Sequence, residues 1–481
     1  MTGTVADRLP DLFTLVVPTY NRPQELTALM NYLARLQVRF PILILDSGSD
    51  ESRRTTRSLV GHLGLQAKML EYDASAKPFD KFRSGSFRVA TPYAAICADD
   101  DLILIDGLVA CLEALEQDPQ AVVAHGYYFA FTDRTRGEGR MDLEHIVYDS
   151  QSVASPDPIA RVRDLFRDYQ ALTYAIYRTH VLRDILNATA PFRHVLTQEL
   201  LSGALSVVHG KMLRVPVFSN GRAINASHPY TRWHPFLWLM EDPESLAKEY
   251  AWFRQVLVSA LTDRPDYARD ATETGRLLDL IATFYLYRHT PPESFDLVLD
   301  RAFGDQPIGG LWQELALQLP MINASEAVEP LTLPPPPPPP PGPPQAPPPP
   351  PPPTVGDRVG RRVARLLDKV LRIPPPQPPA MPAVPAEPPP PLPLPPMPEP
   401  AGADPAVQDG AQDMQGGSRI YRIFPAMLHH AASARFAVTP EVLLELTRAL
   451  DAWRPWDDAV ESVAPAAGAP SLTDDPVHGA G

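Results

Sequence analysis

Between Leu12 and Leu115 the chain alternates short apolar runs with amphipathic stretches, and that alternation leaves few folds open. Leu12–Val17, Pro41–Leu45, Lys68–Tyr72 and Tyr93–Ala98 read as strands, being short runs without helical spacing. Pro23 suits the first position of a helix, and Leu26, Leu29, Met30, Leu33 and Leu36 then recur on one helical face. Asp106-Gly107 opens another such pattern, with Leu108, Cys111, Leu112 and Leu115. Apolar strands alternating with helices predict an α/β fold, a mostly parallel sheet flanked by helices.

Three consecutive aspartates, Asp99-Asp100-Asp101, directly follow the fourth run. Open α/β sheets place their ligands just past the carboxyl ends of strands. Hard oxygen donors of this kind suit Mg²⁺ or Mn²⁺, which usually also hold substrate phosphates. A solvated turn leading into the next helix is the plainer account of the triplet, so its surroundings decide. The second strand ends at Asp46-Ser47-Gly48-Ser49-Asp50, which places Asp46 at the same sheet edge. There is no G-x-G-x-x-G after the first strand and no G-x-x-x-x-G-K-[ST]. A dinucleotide site and a P-loop are therefore disfavoured. Without a glycine-rich cradle, diphosphate charge has to be met by a metal or by side chains.

Four segments occur in the order found in the family 2 glycosyltransferases, whose nucleotide-sugar-binding fold is called GT-A. Val17-Pro18-Thr19-Tyr20-Asn21-Arg22 resembles the loop after that family's first strand, and Leu45–Asp50 its "D-G-S-x-D" segment. Lys81 and Val89–Tyr93 resemble the approach to the metal motif, and Asp99–Asp101 the motif itself, with Asp106 further on. The resemblance covers roughly residues 12 to 225. It implies a GT-A-type domain that binds a nucleotide-sugar donor through Pro18, Thr19, Tyr20, Asn21, Asp46 and Lys81. A strict "D-x-D" would begin at Ala98, so the metal ligand maps onto Asp100. Asp99 then maps onto a ribose or diphosphate contact, and Asp101 onto a second ligand. Family order also places Glu199, in Gln198-Glu199-Leu200-Leu201, as the base that accepts the acceptor proton in an inverting transfer. Only one acid stands where the family often has two, and an exposed helix carboxylate is the competing account of Glu199.

Further strands are expected at Val122–Phe129, Ala171–Arg178 and Gly210–Val215, with a helix from Val195 to Val208. The domain boundaries follow: 1–228 for the GT-A-like domain and 229–325 for a helical appendage. In the appendage, Trp233, Trp238, Tyr250, Trp252 and Phe253 read as packing residues rather than a sugar platform. Residues 326–417 form a proline-rich linker, 418–462 a small helical docking element, and 463–481 a disordered tail. The chain has 60 prolines among 481 residues, and most lie between Pro334 and Pro400, so much of its length lies outside any core. Such tracts favour polyproline II, a semi-rigid spacer.

Between the proline tracts, Val355, Val359, Val363, Leu366, Val370 and Ile373 recur at helical steps. Arg358, Arg361, Arg362, Arg365, Lys369 and Arg372 fill much of the remainder. This basic amphipathic segment, 355–373, suits either an anionic membrane surface or a protein partner. Elsewhere the balance is acidic, with a formal charge of −14, which argues against non-specific nucleic-acid binding. Cys97 and Cys111 read as small core residues, and His209, His228 and His234 lack metal-ligand spacing. With no signal-peptide pattern and no run approaching a membrane span, a cytoplasmic protein is expected, peripheral at the inner face of the membrane if 355–373 binds lipid.

The function expected from these features is a metal-dependent transferase moving sugar from a nucleoside diphosphate to a hydroxyl of a glycan or lipid-linked acceptor. A non-catalytic scaffold of the same fold is the alternative, left open by the single acid at Glu199. A sugar-phosphate nucleotidylyltransferase would want a glycine- and arginine-rich first loop, and Pro18-Thr19-Tyr20-Asn21 stands there instead.

Overall fold

The computed structural model describes residues 3–132, 140–148, 150–224, 243–289, 412–416, 419–424, 427, 436 and 438–453. The expected basic segment 355–373, the proline tracts, the 463–481 tail, and Trp233, Trp238, His228 and His234 lie outside the described residues.

The parallel half of the sheet matches the apolar runs. β1 (Phe13–Thr19), β2 (Ile42–Asp46), β3 (Ala67–Glu71) and β4 (Tyr93–Ile96) lie in the spatial order β4-β1-β2-β3, all parallel. The chain leaves β1 toward β2 on one side and returns to β4 on the other. The crevice between β1 and β4 is therefore a topological switch point, where such sheets bind ligands. α2 (Pro23–Arg35), α3 (Asp50–His62) and α4 (Pro78–Ser86) make the crossovers. Pro23 and Pro78 start their helices at the first turn, and Ser49 caps α3 by accepting from the Ser52 amide at 3.3 Å. A short helix not foreseen from the sequence, α1 (Val5–Leu12), begins on a reciprocal Thr4–Asp7 capping box.

The second half of the sheet is mixed. β5 (Leu102–Ile103) and α5 (Ile105–Gln117) follow the aspartates. β6 (Ala121–Thr132) runs antiparallel to β7 (Arg140–Tyr148) and to β8 (Ile176–Arg178), and parallel to β9 (Lys211–Ala223). β8 also pairs antiparallel with β4 and so joins the two halves. Two expected strands differ in extent. Only Ile176–Arg178 of the 171–178 run is strand, because a turn closed by Ala175 N–H on Leu172 O at 2.9 Å precedes it. The closing strand continues past Val215 to Ala223 along the long edge that β6 offers.

Strand side chains alternate between two apolar layers. Phe13, Leu15 and Val17 of β1 face one core; Val16 faces the other. The first core lies under α2 and α5, and the second under α6 (Pro158–Arg167), α7 (Thr179–Thr189) and α8 (Val195–His209). α9 (Pro243–Thr262) and α10 (Ala271–His289) supply the helical appendage and pack on the second core through Phe253, Leu257 and Leu278. Of the aromatic group expected there, Phe253 is buried and Trp252 stacks on Phe192 with centroids 4.2 Å apart. Tyr250 donates to Asp279 at 2.7 Å.

The end of the expected 326–417 linker and the start of the expected 418–462 helical element contribute strand as well as helix. β10 (Gln412–Gly416) and β11 (Arg419–Ile423) form a hairpin, and β11 pairs in parallel with β7. α11 (Pro440–Leu450) follows, capped by Thr439. This segment and residues 1–290 make one compact unit. Among the described residues, no helix is long and apolar enough to cross a membrane.

Candidate active site

The carboxyl ends of β1, β2 and β4 bring the expected donor-side residues together. Asp46 ends β2 and is fully buried; one carboxylate oxygen accepts the Gly48 amide at 2.7 Å. Its other oxygen is buried without a hydrogen-bond partner, a costly arrangement that a ligand donor or cation would relieve. Lys81 reaches in from α4, buried, and donates to Thr19 O at 3.0 Å and Ser47 Oγ at 2.8 Å. Burial lowers its pKa, while Asp46 and Asp99 oppose that shift. Asn21 takes a positive φ of 53°, and its side chain accepts the Ser49 amide at 2.6 Å. The two loops thus lock, and a Cβ on Gly48 would stand 3.0 Å from both Asn21 Oδ1 and Asp46 Oδ1. Pro18 is half-buried within β1, and Tyr20 is 52% exposed at the rim.

All three aspartates are buried. Thr19 Oγ1 donates to Asp99 at 2.8 Å, spanning the β1–β4 crevice. Arg22, at the N-cap of α2, forks across the pair, with Nη1 2.8 Å from Asp99 Oδ1 and Nη2 2.6 Å from Asp100 Oδ2. Burial raises the Asp99 pKa and Arg22 holds it down. Asp101 turns elsewhere: Tyr128 Oη donates to it at 3.3 Å, and Arg222 Nε lies 3.7 Å away. Asp106 is exposed in the first turn of α5 and lines a separate cleft of about 610 Å³ with Tyr32, Glu445 and Arg448.

Arg222 comes from the extended part of β9. Its guanidinium carbon lies over the rings of Tyr128, Tyr148 and Tyr174 at 5.6, 5.4 and 5.4 Å, and Nη1 donates to Tyr148 Oη at 3.1 Å. Glu199, on α8, is half-buried near this group. Burial pushes its carboxyl up to about 7, with Arg222 pulling the other way. Its charge in turn bears on Tyr148, Tyr169, Tyr174 and Tyr285. The neighbouring Gln198 is no substitute second acid, since its amide donates to Phe192 O at 2.9 Å and fixes a loop.

Arg22 and Arg222 are the residues that sequence reasoning passed over. Arg22 stands inside a motif segment, but its role needs Asp99 and Asp100 beside it. Arg222 lies beyond the expected end of its strand, and no local pattern marks it.

The donor set fits a hard divalent cation, being buried carboxylates at a strand end with one orphaned oxygen on Asp46. Among the described residues no three acidic, histidine or cysteine side chains group tightly enough to hold a metal by themselves. Mg²⁺ and Mn²⁺ are usually held by one or two carboxylates with substrate phosphates and water.

Residues 14–186 match the model of glycosyl transferase family 2. The span includes Asp46, Lys81 and all three aspartates; Glu199 and Arg222 lie beyond it. Residues 14–186 are thus similar to that family, and they lie in a mixed α/β fold with a mostly parallel central sheet. Similar solved structures include TarS of S. aureus, at 13% identity and a TM-score of 0.40, covering 60% of this chain and 45% of that one. The chain therefore spans less than half the length of that protein. A second is S. aureus TarS 1-349 in complex with UDP-GlcNAc, at 15% identity and TM-score 0.43, covering 64% and 81%. A third is the mannosyltransferase PcManGT from Pyrobaculum calidifontis in complex with GDP-Man and Mn²⁺, at 17% identity and TM-score 0.34, covering 64% and 80%. No curated protein matches the chain.

Proposed function

We propose that this protein is a divalent-metal-dependent glycosyltransferase that moves a sugar from a nucleoside diphosphate to an acceptor hydroxyl with inversion. The observation that carries this reading is the meeting of two environments. A carboxylate triplet is buried at the β1–β4 switch point, Arg222 Nε lies 3.7 Å from Asp101, and the same arginine acts electrostatically on the half-buried Glu199, whose carboxyl pKa is raised by burial.

Asp100, with Asp101 as a second ligand, would hold Mg²⁺ or Mn²⁺. The metal supplies charge compensation for the departing diphosphate. The chain's own residues do the rest. Asp46, Lys81, Asp99 and the Pro18–Asn21 loop bind and orient the nucleotide. Glu199 takes the proton from the acceptor hydroxyl as its oxygen attacks the anomeric carbon and the bond to the diphosphate oxygen breaks. A carboxyl poised near neutrality is well matched to that task. Arg222 links Asp101 to the Glu199 side, so donor and acceptor halves share one charge network.

The acceptor is a hydroxyl of a glycan or lipid-linked glycan, and the enzyme works in the cytoplasm, with 355–373 as its contact to membrane or partner. A thermal-shift screen of nucleotide sugars with and without Mn²⁺ tests the donor half, because a ligand of the folded state raises its apparent stability. A metal-dependent shift with one or more nucleotide sugars is expected. No shift with any of them would overturn the reading.

A further inference from the structure

We propose that the outer edge of β7 and the face of β6 turned from the active site form a docking surface for the chain's own β10–β11 hairpin, Phe436, α11 and Trp453, and that this docking keeps the aromatic wall around Arg222 in order. The segment lies beyond the proline-rich stretch, far in sequence from everything it touches.

β11 continues the sheet beside β7, in register from Ile420 opposite Arg140 to Ile423 opposite Leu143. The Phe424 amide adds a bond to Leu143 O at 3.0 Å. The new outer strand, β10, presents Gln412, Asp413 and Gln415 exposed to solvent, and a polar, charged edge discourages further pairing. Behind the sheet, Trp453 is 2% exposed and wedged between Tyr32 of α2 and Phe131 of β6, at centroid distances of 5.9 and 5.8 Å. Phe436 stacks on Tyr127 at 4.4 Å. Tyr421 Oη lies 2.9 Å from Thr447 O, which ties hairpin to helix so that both dock as one piece.

β6 couples this surface to the active site. Tyr127 and Phe131 face the docked segment, whereas Tyr128, on the opposite face, meets Asp101 and Arg222. On β7, Leu143 lies opposite β11, and Tyr148 pairs with Tyr128 at the site. The same two strands thus carry the docked segment at one place and the site wall at another. The docking stands independently of the catalytic reading; only its consequence for sugar transfer rests on that reading.

The test uses the full chain with a specific protease site placed between residues 376 and 400, cut once after purification. The two pieces are expected to co-elute on size exclusion with the mass of one chain, and to separate when Trp453→Ala is present. A C-terminal piece that elutes alone while the remainder keeps its native volume overturns the docking, and a complex with the mass of two chains overturns its same-chain character. In the uncut chain, Trp453→Ala should speed amide exchange in 141–148 by about 10-fold or more. If that variant does not fold, Tyr421→Phe should shift exchange in the same direction by less. Unchanged exchange in 141–148 in a folded variant overturns the coupling to the site wall.

Discussion

Arg22 lies 2.6 Å from Asp100 and 2.8 Å from Asp99, so one guanidinium bridges two of the three clustered aspartates. A cation drawn to Asp100 has to share or displace that guanidinium, and Glu25, 3.5 Å from Arg22 Nε, offers it another partner. Arg22→Gln should therefore bind Mn²⁺ alone about 5-fold more tightly, on the order of 1 kcal/mol. Electron paramagnetic resonance of free Mn²⁺ reads this directly. Weaker binding by the variant would mean that Arg22 assists the metal instead of competing with it.

Asp100→Ala should abolish metal-dependent nucleotide-sugar binding and leave the fold intact, since it removes one of three adjacent buried carboxylates. Asp101→Ala should be milder for the metal, because Asp101 is engaged by Tyr128 and Arg222. Calorimetric titration of UDP or GDP with Mn²⁺ separates the two variants. Equal nucleotide affinity in Asp100→Ala and the unmodified protein would remove Asp100 from the metal site.

Glu199→Gln should keep donor binding and reduce transfer at least ~100-fold. It should also change the pH dependence of stability. Burial pushes the folded-state carboxyl up to about 7, against the ordinary 4.5 of a solvated glutamate. The folded state thus holds this proton more tightly, so the group's contribution is intact below pH 4.5 and is lost as pH rises through 7. After allowance for partial exposure, the loss is on the order of 1–3 kcal/mol. Denaturant unfolding at pH 5 and pH 8 should show the variant gaining on the unmodified protein at the higher pH only. Parallel curves would mean that Glu199 is not perturbed.

Gly107 packs α5 against β9 at the exit from the aspartate triplet. A Cβ there would stand 2.1 Å from Phe218 O and 2.6 Å from Ser219 Cα, both backbone atoms. Gly107→Ala should cost about 2–3 kcal/mol through overpacking. The urea midpoint of the full chain is the measurement, and an unchanged midpoint would show that β9 can move aside.

Residues 355–373 should bring the full chain down with vesicles containing anionic lipid, and salt should weaken this, each basic residue near the surface being worth roughly 1 kcal/mol. Deleting 355–373 should abolish co-sedimentation. If the deletion binds equally well, the segment serves a protein contact.

The sequence by itself determined the parallel half of the sheet and the placement of Asp46 and Asp99–Asp101 at its edge. Apolar runs such as Ile42–Leu45 and the helical spacing of Leu26 to Leu33 encode which face of an element is buried, and that information is local. An aspartate after such a run has to emerge at the sheet edge, so Asp46 and Asp99–Asp101 were legible as neighbours. Periodicity does not encode which element lies opposite. The antiparallel arrangement of β8, β6 and β7, the extension of β9 to Arg222 and the pairing of β11 with β7 are choices among distant strands. The tertiary structure alone made them, through the burial of residues such as Phe131 and Trp453 against each other. Arg22 shows the same division: its position was visible in a motif, but its partners lie 77 and 78 residues away. Only folding brings one guanidinium within reach of two buried carboxylates, where low solvent screening makes the pairing matter.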